Sequence, residues 1–484
     1  MKAKPLTQQQ FFGGRSARAR VHASAPGRLD VMGGIADYSG SLVLQMPIAE
    51  RTHVWLRQRT DGVVRIHSAA AERFHHPATV TLDRADLSPV RSQDETARFA
   101  AVRRRLAATP GGDWAAYVAG CITLLEDAGL ATPAGADIFI DSQVPFGKGV
   151  SSSAALEVAT LTALDRDLHL NLGRTQLPIL AQRVENRLVG APCGLMDQLA
   201  TYLGRANRLL PILCQPDRVG TPVVLPRSLR FVGIDSGVRH AVSGSDYTSV
   251  RCAAFMGYSL IARAMGLPKS VLQRARTAGD RHKLPFGGYL ANIAPSLFSQ
   301  RFARQLPARM SAAAFHRAIG ATIDPITRPK AGRSYAVAAC TQHPIHECER
   351  VKTFVLLLEA LNRLTARPTR ASTNRSTRAQ HGERRELLVA LGERMFQSHA
   401  SYSACGLGEP VTDSLVEAVR EAGPAAGVYG AKITGGGSGG TVCVLCDGAQ
   451  GLAAARRIAA RIGRAHGCRL TMFEGSSEGA RHSV

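Results

Sequence analysis

Long apolar runs are absent from this sequence. No segment approaches the roughly eighteen to twenty uninterrupted apolar residues of a membrane-spanning helix. The stretch from Met1 to Arg28 contains basic residues but no apolar run of signal-peptide length. These two absences predict a cytoplasmic protein that has no membrane partner.

Cysteines are too few and too scattered for a disulfide framework. The chain has 10 cysteines in 484 residues, a distribution that fits a reducing compartment. Cys443 and Cys446 form a CxxC pattern, but they lie in the apolar, β-type segment Thr441–Cys446 without a second cysteine pair. We interpret them as buried strand residues and not as metal ligands.

Acidic residues are also scarce relative to basic ones. The chain has 37 Asp and Glu against 60 Lys and Arg, a net charge of +23, which raises the question of nucleic-acid binding. The basic residues are spread along the chain, and neither zinc-finger spacing nor an aromatic-rich RNA-binding signature is present. Residues 366–385 form a basic run, and we expect an Arg-rich surface insertion there. We expect attraction to anionic nucleotides and no specific nucleic-acid partner.

The length and the order of elements indicate two domains. A chain of 484 residues is too long for one hydrophobic core. Strand patterns alternate with helical patterns in both halves, which predicts two α+β domains. We place the boundary near Pro226, giving domains 1–226 and 227–484.

The stretch "VPFGKGVSSSAAL", Val144–Leu156, places glycines and three serines directly before a helical pattern. Backbone N–H groups at a helix N-terminus, exposed by glycines and joined by serine hydroxyls, form a site for phosphate oxygens. Lys148 adds a positive charge. The spacing is not that of the Walker motif, so an ordinary P-loop is excluded. Taken alone, the pattern is equally typical of a structural helix cap.

Two further glycine-rich stretches strengthen the phosphate-site interpretation. "APGRLDVMGGIADYSG", Ala25–Gly40, places Arg28 and Asp37 in one strand–turn segment, where both can face a common cleft. "GAKITGGGSGGTVCVLC", Gly430–Cys446, contains a glycine cluster that lets the backbone approach a ligand closely. On its own, this second stretch is also typical of a tight turn between strands.

Taken in their order along the chain, the three motifs resemble those of the GHMP small-molecule kinases. The resemblance extends from about Ala23 to about Glu474. "GAPCGLMDQLA" (190–200) and "GIDSGVRHAVSGSDYTSVR" (233–251) resemble the galactokinase branch, and "SYSACGLG" resembles the arabinokinases within it. The resemblance implies an N-terminal ribosomal-S5-like domain with a left-handed βαβ crossover and a C-terminal ferredoxin-like α+β domain. The active site would lie in the cleft between them. The usual rule for crossovers predicts the opposite hand.

The resemblance also implies a reaction, the transfer of the γ-phosphoryl group of ATP to the anomeric hydroxyl of a sugar. Asp197 matches the catalytic carboxylate of the galactokinases and would accept the proton of the C1 hydroxyl. Arg28 would lie beside it, keep it ionised and stabilise charge on the transferring group.

The same resemblance assigns residues to ATP and Mg²⁺. Ser153 and Glu185 match the metal positions of the family, and Mg²⁺ prefers a small number of oxygen ligands. The expected ATP-binding residues are Gly147, Lys148, Gly149, Ser151, Ser152 and Ser153, which would cradle the phosphates, and Gly435, Gly436 and Gly437, which would close over the nucleotide.

The sugar-binding motif departs from that of the galactokinases. Where they have G-E-H-x-D-Y, residues 33–38 read Gly-Gly-Ile-Ala-Asp-Tyr. In galactokinases the acidic residue faces the C6 hydroxyl, which L-arabinopyranose lacks. Gly34 and Ile35 remove that demand, whereas Asp37 and Tyr247 would still hold the ring hydroxyls. This favours L-arabinose, converted to L-arabinose 1-phosphate. Galactose and uronates such as glucuronate remain alternatives, because Gly34 also leaves room for a larger C6 substituent.

Some galactokinase-like proteins are sugar sensors without turnover, and this is the alternative from a different class. Loss of the base or of the metal carboxylate would favour it, but Asp197 and Glu185 are both present. We therefore expect a monomeric enzyme whose partners are a sugar and ATP. Two arabinokinase-like segments, 287–298 and 343–351, receive no role. For the second we favour packing at a helix N-terminus over a metal site.

Overall fold

The computed structural model describes residues 6–13, 21–74, 76–92, 94–215, 218–238, 246–279, 281, 283–366 and 374–483. Their strands are β1 Val21–Met32, β2 Leu42–Arg59, β3 Val63–Ser68, β4 Thr79–Asp83, β5 Gly135–Ser142, β6 Arg208–Leu213, β7 Arg218–Val219, β8 Val223–Val224, β9 Leu229–Asp235, β10 Met310–Ser311, β11 Ser334–Tyr335, β12 Val428–Ile433, β13 Thr441–Asp447, β14 Met472–Phe473 and β15 Arg481–Ser483.

Their helices are α1 Gln8–Phe11, α2 Glu95–Ala108, α3 Gly112–Asp127, α4 Ser152–Leu168, α5 Gln176–Val184, α6 Met196–Leu203, α7 Asp246–Ala264, α8 Lys269–Ala278, α9 Pro295–Leu297, α10 Ala312–Ala318, α11 Val337–Ala366, α12 Asn374–Ala404, α13 Pro410–Ala422 and α14 Gly448–Ala465. Within the described ranges, none of these helices combines the length and apolar character that a membrane crossing needs.

The first sheet is built from the N-terminal strands. Its order is β15-β1-β2-β5-β3-β4, and β6 pairs with β2, β7 and β8. β3 and β5 run parallel and are connected through α2 and α3, whereas β1 and β2 are antiparallel. The register of β1 against β2 shifts between Pro26 and Arg28. Such irregularities often redirect side chains next to active sites, and this one lies directly before Arg28.

Helices α2 to α5 cover one face of this sheet. In α3, apolar residues occupy nearly the whole circumference, as expected for a helix buried on several sides. Its side chains join strand residues such as Val54 and Ile138 and helix residues such as Leu161 in one apolar core. This core fixes the position of α4, whose N-terminus lies in the candidate site.

The second sheet has the order β12-β13-β9-β14 and is antiparallel. α13 and α14 pack against it through one apolar cluster. A second cluster joins Phe231 of this sheet to Leu29 of β1 and Phe354 of α11, so the two sheets share buried apolar surface. Cys443 and Cys446 are fully buried in β13, which confirms their assignment as strand residues.

The α+β fold class is confirmed by this architecture. β9 starts at Leu229, three residues after Pro226, and it opens the second sheet. β15, near the end of the chain, pairs with β1, so residues 481–483 belong to the first sheet. The expected division at Pro226 therefore does not describe this last strand.

Three segments differ from the sequence-based expectations. The sequence pattern over 175–190 is helical throughout, but α5 ends at Val184 and the chain continues as a π-helical turn, Glu185–Val189. α11 begins at Val337, so segment 343–351 lies inside the helix and not at its start. In the expected insertion 366–385, residues 367–373 lie outside the described residues, but the chain is helical from Asn374 onwards. Arg384 in this helix donates to both carboxylate oxygens of Asp447, at 2.7 and 2.6 Å.

Candidate active site

Arg28 and Asp197 form a bidentate ion pair at the centre of the site. Arg28 Nε and Nη2 donate to the two carboxylate oxygens of Asp197 at 2.9 and 2.7 Å. Its third nitrogen, Nη1, donates to the carbonyl oxygen of Gly149 at 2.8 Å. Arg28 is buried, whereas the Asp197 side chain keeps 23% of its exposure. The arginine therefore fixes the Asp197 carboxylate and also residues 144–151 before α4, here called the phosphate-type loop. The carboxylate still has an open side.

Ser151 supplies a third donor to the same carboxylate. Its hydroxyl donates to Asp197 Oδ2 at 2.6 Å. Ser151 precedes α4 with a positive φ of 58°, an uncommon conformation for a residue other than glycine. An ionised carboxylate has about four acceptor positions, of which these donors use three. One position remains for a hydroxyl group entering from the open side.

The N-terminus of α4 lies directly beside this pair. Because the Ser151 hydroxyl bonds to Asp197, it does not cap the helix, and the first amides of α4 have no side-chain acceptor from it. Ser152 and Ser153 are the first two residues of the helix. Gly147 and Gly149 both have positive φ, which turns the loop around this N-terminus. Exposed amides and hydroxyls in this arrangement can bind an anion.

The glycine cluster 435–440 packs against the phosphate-type loop. Thr441 Oγ1 donates to the carbonyl oxygen of Lys148 at 2.8 Å. A Cβ on Gly435 would lie 2.8 Å from the Gly149 carbonyl oxygen, so the two backbones approach too closely for a side chain there. Gly436 and Gly437 follow in the same turn. The structure thus brings together the glycine-rich stretches that the sequence placed about 290 residues apart.

Lys148 does not point freely into solvent. Its ammonium lies 3.1 Å from Asp235 at the end of β9, and its side chain is 18% exposed. Asp235 was not identified from the sequence. The contact joins the loop of the first domain to the second sheet.

Glu185 and Ser153 lie next to each other, as a shared metal site requires. Burial raises the pKa of Glu185 to about 7, with Asp197 adding to the rise and hydrogen bonding to Ser153 opposing it. Gln198 Nε2 donates to Glu185 at 2.9 Å. A second buried carboxyl, Glu157, lies beside them, and burial holds its pKa well above the usual range. A cation bound here would relieve the cost of these buried acids.

Among the described residues, no three His, Cys, Asp or Glu side chains are grouped to hold a metal ion. Mg²⁺ in nucleotide sites keeps several waters and uses one or two protein carboxylates together with phosphates. One carboxylate and one hydroxyl next to a phosphate-type loop therefore fit Mg²⁺ as part of a nucleotide complex, and they do not form a closed protein cage.

Asp37 lines a cavity of about 210 Å³ next to the ion pair. Its Oδ1 atom is buried without a partner among the described residues. Its Oδ2 atom packs against Gly194, where a Cβ would lie only 1.9 Å from this oxygen. Burial raises the pKa of Asp37 to about 7, and the neighbouring Asp197 adds to the rise. The buried, unpartnered oxygen carries a cost that a hydroxyl donor would relieve, and the residue itself lies at the wall of a polar cavity.

Several cavity residues were not singled out as site residues from the sequence. Arg251 lines the cavity. Its guanidinium donates two hydrogen bonds to the Asp324 carboxylate, at 3.0 and 2.9 Å. Arg281 lies over the ring of Tyr289, 4.8 Å from its centroid, and both line the cavity. Segment 287–298, which had no role, thus supplies one wall. The signal was present in Tyr289 of this segment and in Arg281 shortly before it, but spacing along the chain could not place them.

Gly34 and Ile35, both described, do not line this cavity. A Cβ on Gly34 would lie 1.4 Å from the Tyr402 hydroxyl, so this glycine makes room for Tyr402. Ile35 is buried in an apolar cluster that also contains Tyr247. Packing against Tyr402 is therefore one physical reason for glycine here, and the role of Gly34 at the sugar stays a prediction. Tyr247 is buried on α7, and its ring lies edge-on to that of Tyr38 at 6.0 Å.

Glu347 of the unassigned segment 343–351 holds the turn that precedes Asp37. It accepts the backbone N–H of Gly33 at 3.1 Å and the hydroxyl of Ser398 at 2.6 Å. His343 Nδ1 lies 2.8 Å from Ser401 Oγ. These contacts connect α11 and α12 to the turn that precedes Asp37.

Comparison with known families identifies the same regions. The description "GHMP kinases N terminal domain" matches residues 116–205, "GHMP kinases C terminal" matches residues 384–466, and "Galactokinase galactose-binding signature" matches residues 9–58. The N-terminal match contains the loop before α4 and Asp197. The C-terminal match contains the glycine cluster, and the signature contains Arg28 and Asp37.

Similar proteins include L-arabinokinase of Arabidopsis thaliana, 40% identical over 95% of this chain and 46% of the relative. Galactokinase of Chloroflexus aurantiacus is 36% identical over 53% of this chain and 59% of the relative. The chain thus spans about half the length of these curated relatives.

Among solved structures, galactokinase of Lactococcus lactis complexed with galactose matches with a TM-score of 0.69 at 20% identity, covering 98% of this chain and 97% of that one. Mevalonate kinase of Methanococcus jannaschii matches with a TM-score of 0.54 at 11% identity, covering 96% and 100%. These likenesses show the fold. The galactose-binding signature and both GHMP kinase domain descriptions thus match successive regions of this one sequence.

Proposed function

We propose that this protein transfers the γ-phosphoryl group of ATP to the anomeric hydroxyl of a monosaccharide, and that the sugar is L-arabinose. The observation that carries the proposal is the position of Asp197. It is held by Arg28 and Ser151, has one open side, and lies close to the N-terminus of α4 and to Asp37, which lines the cavity.

Asp197 is proposed as the general base. Its free acceptor position would take the proton of the C1 hydroxyl while the sugar oxygen forms a bond to the γ-phosphorus. The bond from that phosphorus to the β,γ-bridging oxygen breaks, and ADP leaves. An anomeric hydroxyl is more acidic than an ordinary alcohol, so a carboxylate is an adequate base. Arg28 orients this base through two bonds and would stabilise charge on the transferring group.

The phosphates would bind at the start of α4. The amides of Ser152 and Ser153, turned outward by the glycines before them, provide donors without a competing cap. The glycine cluster 435–440 would cover the nucleotide from the second domain. Ser153 and Glu185 would hold Mg²⁺, which when bound neutralises phosphate charge.

The sugar would occupy the cavity between Asp37 and the Arg281–Tyr289 wall. Asp37 would accept a hydrogen bond from a ring hydroxyl, and Gly194 leaves room for its carboxylate by having no side chain. L-Arabinose is favoured because the relative matching nearly the whole chain is an L-arabinokinase. D-Galactose is the second candidate, because residues 9–58 match the galactose-binding signature.

The test is ATP consumption by the purified protein with Mg²⁺ and each of L-arabinose, D-galactose, D-glucuronate and D-galacturonate. We expect the highest kcat/KM with L-arabinose. A higher value with galactose or a uronate would overturn the sugar assignment and leave the kinase proposal standing. Binding of ATP and sugar without turnover would instead support the sugar-sensor alternative.

A further inference from the structure

We propose that Tyr402 is a positioning residue that couples sugar binding to nucleotide binding. It joins the turn Gly33–Gly40, which carries Asp37, to the glycine cluster 435–440 through one hydroxyl group. The coupling rests on the proposed function, because it concerns the sites assigned there to sugar and ATP.

The Tyr402 hydroxyl makes two hydrogen bonds in opposite directions. It accepts the backbone N–H of Ile35 at 2.9 Å, and it donates to the carbonyl oxygen of Gly435 at 3.0 Å. Ile35 lies two residues before Asp37, and Gly435 is the first residue of the glycine cluster. One oxygen atom therefore lies between the backbones of the two ligand-binding segments.

The ring of Tyr402 cannot move to accommodate independent motion of these segments. Tyr402 is fully buried near the end of α12. The Lys432 ammonium lies 5.1 Å from its ring centroid, and the His343 ring packs edge-on at 5.3 Å. Gly34 closes the remaining space, since a Cβ there would overlap the hydroxyl. In such a close-packed site, a shift of one segment is transmitted to the other.

Both bonded partners are buried backbone groups, so breaking either bond is costly. A nucleotide that orders the glycine cluster also fixes the Gly435 carbonyl, then the Tyr402 hydroxyl, and then the turn that carries Asp37. A sugar bound to Asp37 orders the same path in reverse. Binding linkage is reciprocal, so each ligand should raise the affinity for the other by the same factor.

The test is isothermal titration calorimetry with AMP-PNP and Mg²⁺, with and without saturating L-arabinose, and with L-arabinose in the presence and absence of AMP-PNP. We expect each ligand to lower the Kd of the other by about fivefold or more in the unaltered protein. In Tyr402→Phe the factor should fall to near one, while both ligands still bind.

Tyr335→Phe is the matched control. Tyr335 is also buried, and its hydroxyl accepts a backbone N–H, from Lys330 at 2.8 Å, away from both segments. Its coupling factor should equal that of the unaltered protein. Independent binding in the unaltered protein, or an unchanged factor in Tyr402→Phe, would overturn the proposal. If neither ligand binds the unaltered protein, it is the proposed function that fails.

A second measurement needs no variant. Hydrogen exchange of the Ile35 amide should slow when AMP-PNP binds, although the nucleotide would contact only the loop before α4 and the glycine cluster. An Ile35 exchange rate that AMP-PNP leaves unchanged would contradict transmission through Tyr402, whatever the behaviour of the Tyr402→Phe protein.

Discussion

Three carboxylates of the site differ in the donors that each receives. Asp197 has three charged or hydroxyl donor bonds, Glu185 accepts an amide of Gln198, and Asp37 leaves one oxygen buried without a described partner. Burial raises the pKa of both Glu185 and Asp37 to about 7. These two residues therefore carry an energetic cost at neutral pH that their proposed ligands would relieve.

Glu185→Gln should stabilise the ligand-free protein in a pH-dependent way. An exposed glutamate has a pKa of about 4.3, against about 7 for Glu185 in the fold. At pH values between these two pKa values, Glu185 is deprotonated in the unfolded chain but still protonated in the folded protein. The free energy of unfolding therefore falls as the pH rises. In EDTA, the gain in Tm from Glu185→Gln should be larger at pH 8 than at pH 5.

Glu417→Gln, an exposed carboxylate on α13, is the control and should show no such pH-dependent gain. Added Mg²⁺ and ATP should raise the Tm of the unaltered protein more than that of Glu185→Gln. Equal Tm gains at both pH values would show that Glu185 pays no ionisation cost in the fold.

Gly34→Ala should destabilise the protein by about 1–3 kcal/mol through overpacking. The new methyl group would overlap the Tyr402 hydroxyl, and Tyr402 is fully buried. Gly62→Ala separates this effect from backbone strain, because Gly62 has a positive φ but no atom within 4 Å of its Cβ position. A Gly34→Ala protein whose Tm falls no further than that of Gly62→Ala would refute the packing explanation.

The motifs predicted that Arg28 would lie beside Asp197, and the two are paired, while Ser153 lies beside Glu185. The roles of these residues stay predictions. The packing of Gly34 was not predicted, because its neighbour Tyr402 lies 368 positions further along the chain. A steric partner at that distance leaves no local pattern.

Among the elements, the short segment Pro285–Asn292 forms the wall of the cavity because it is anchored at several points. Tyr258 donates its hydroxyl to Pro285 O at 2.8 Å. Asn292 and Gln215 exchange two side-chain bonds of 2.7 and 3.0 Å, and Gln215 also donates to Gly40 O at 2.6 Å. The wall is thereby tied to the end of the turn that carries Asp37.

Arg281→Ala should weaken sugar binding without weakening nucleotide binding. Arg281 lines the cavity and covers the ring of Tyr289, so its removal opens the wall. We expect the KM for the sugar to rise about fivefold or more, with the KM for ATP unchanged. Arg274→Ala, an exposed residue of α8, should change neither KM. A rise in the ATP KM alone would place Arg281 outside the sugar site.

Periodicity and turn residues located most long elements but not their ends. The sequence pattern of α4 is helical from Ala154, but the helix begins at Ser152. The pattern of α11 is helical from Glu347, but the helix begins at Val337. The π-helical turn at Glu185 has no sequence signature, because it depends on packing around a buried carboxylate. The crossover hand implied by the family remains a prediction that no residue pattern supports.

In the whole molecule, a fully buried ion pair connects the two sheets. Lys432 of β12 lies 2.6 Å from Asp30 of β1, and neither side chain is exposed. Asp30 also accepts bonds from Gln45 at 2.8 Å and from the N–H of Gly34 at 3.0 Å. The pair therefore links both domains to the turn that carries Asp37.

Lys432→Met should lower stability by about 3–5 kcal/mol, because it leaves Asp30 charged and unpaired in the interior. Urea unfolding should show a lower midpoint, and Asp30→Asn combined with Lys432→Met should recover much of the loss. Arg456→Met, which removes a surface partner of Glu474, should barely move the midpoint. A Lys432→Met midpoint equal to that of the unaltered protein would mean that the buried pair contributes nothing to holding the fold together.

The most direct test of the proposed reaction is phosphorus NMR of the product formed from Mg²⁺, ATP and L-arabinose. We predict a sugar phosphate whose phosphorus is coupled to the anomeric proton. Asp197→Asn should form it roughly 10²- to 10⁴-fold more slowly. A phosphate on another carbon would contradict transfer to the anomeric hydroxyl. Equal rates for Asp197→Asn and the unaltered protein would contradict the role of Asp197 as the base.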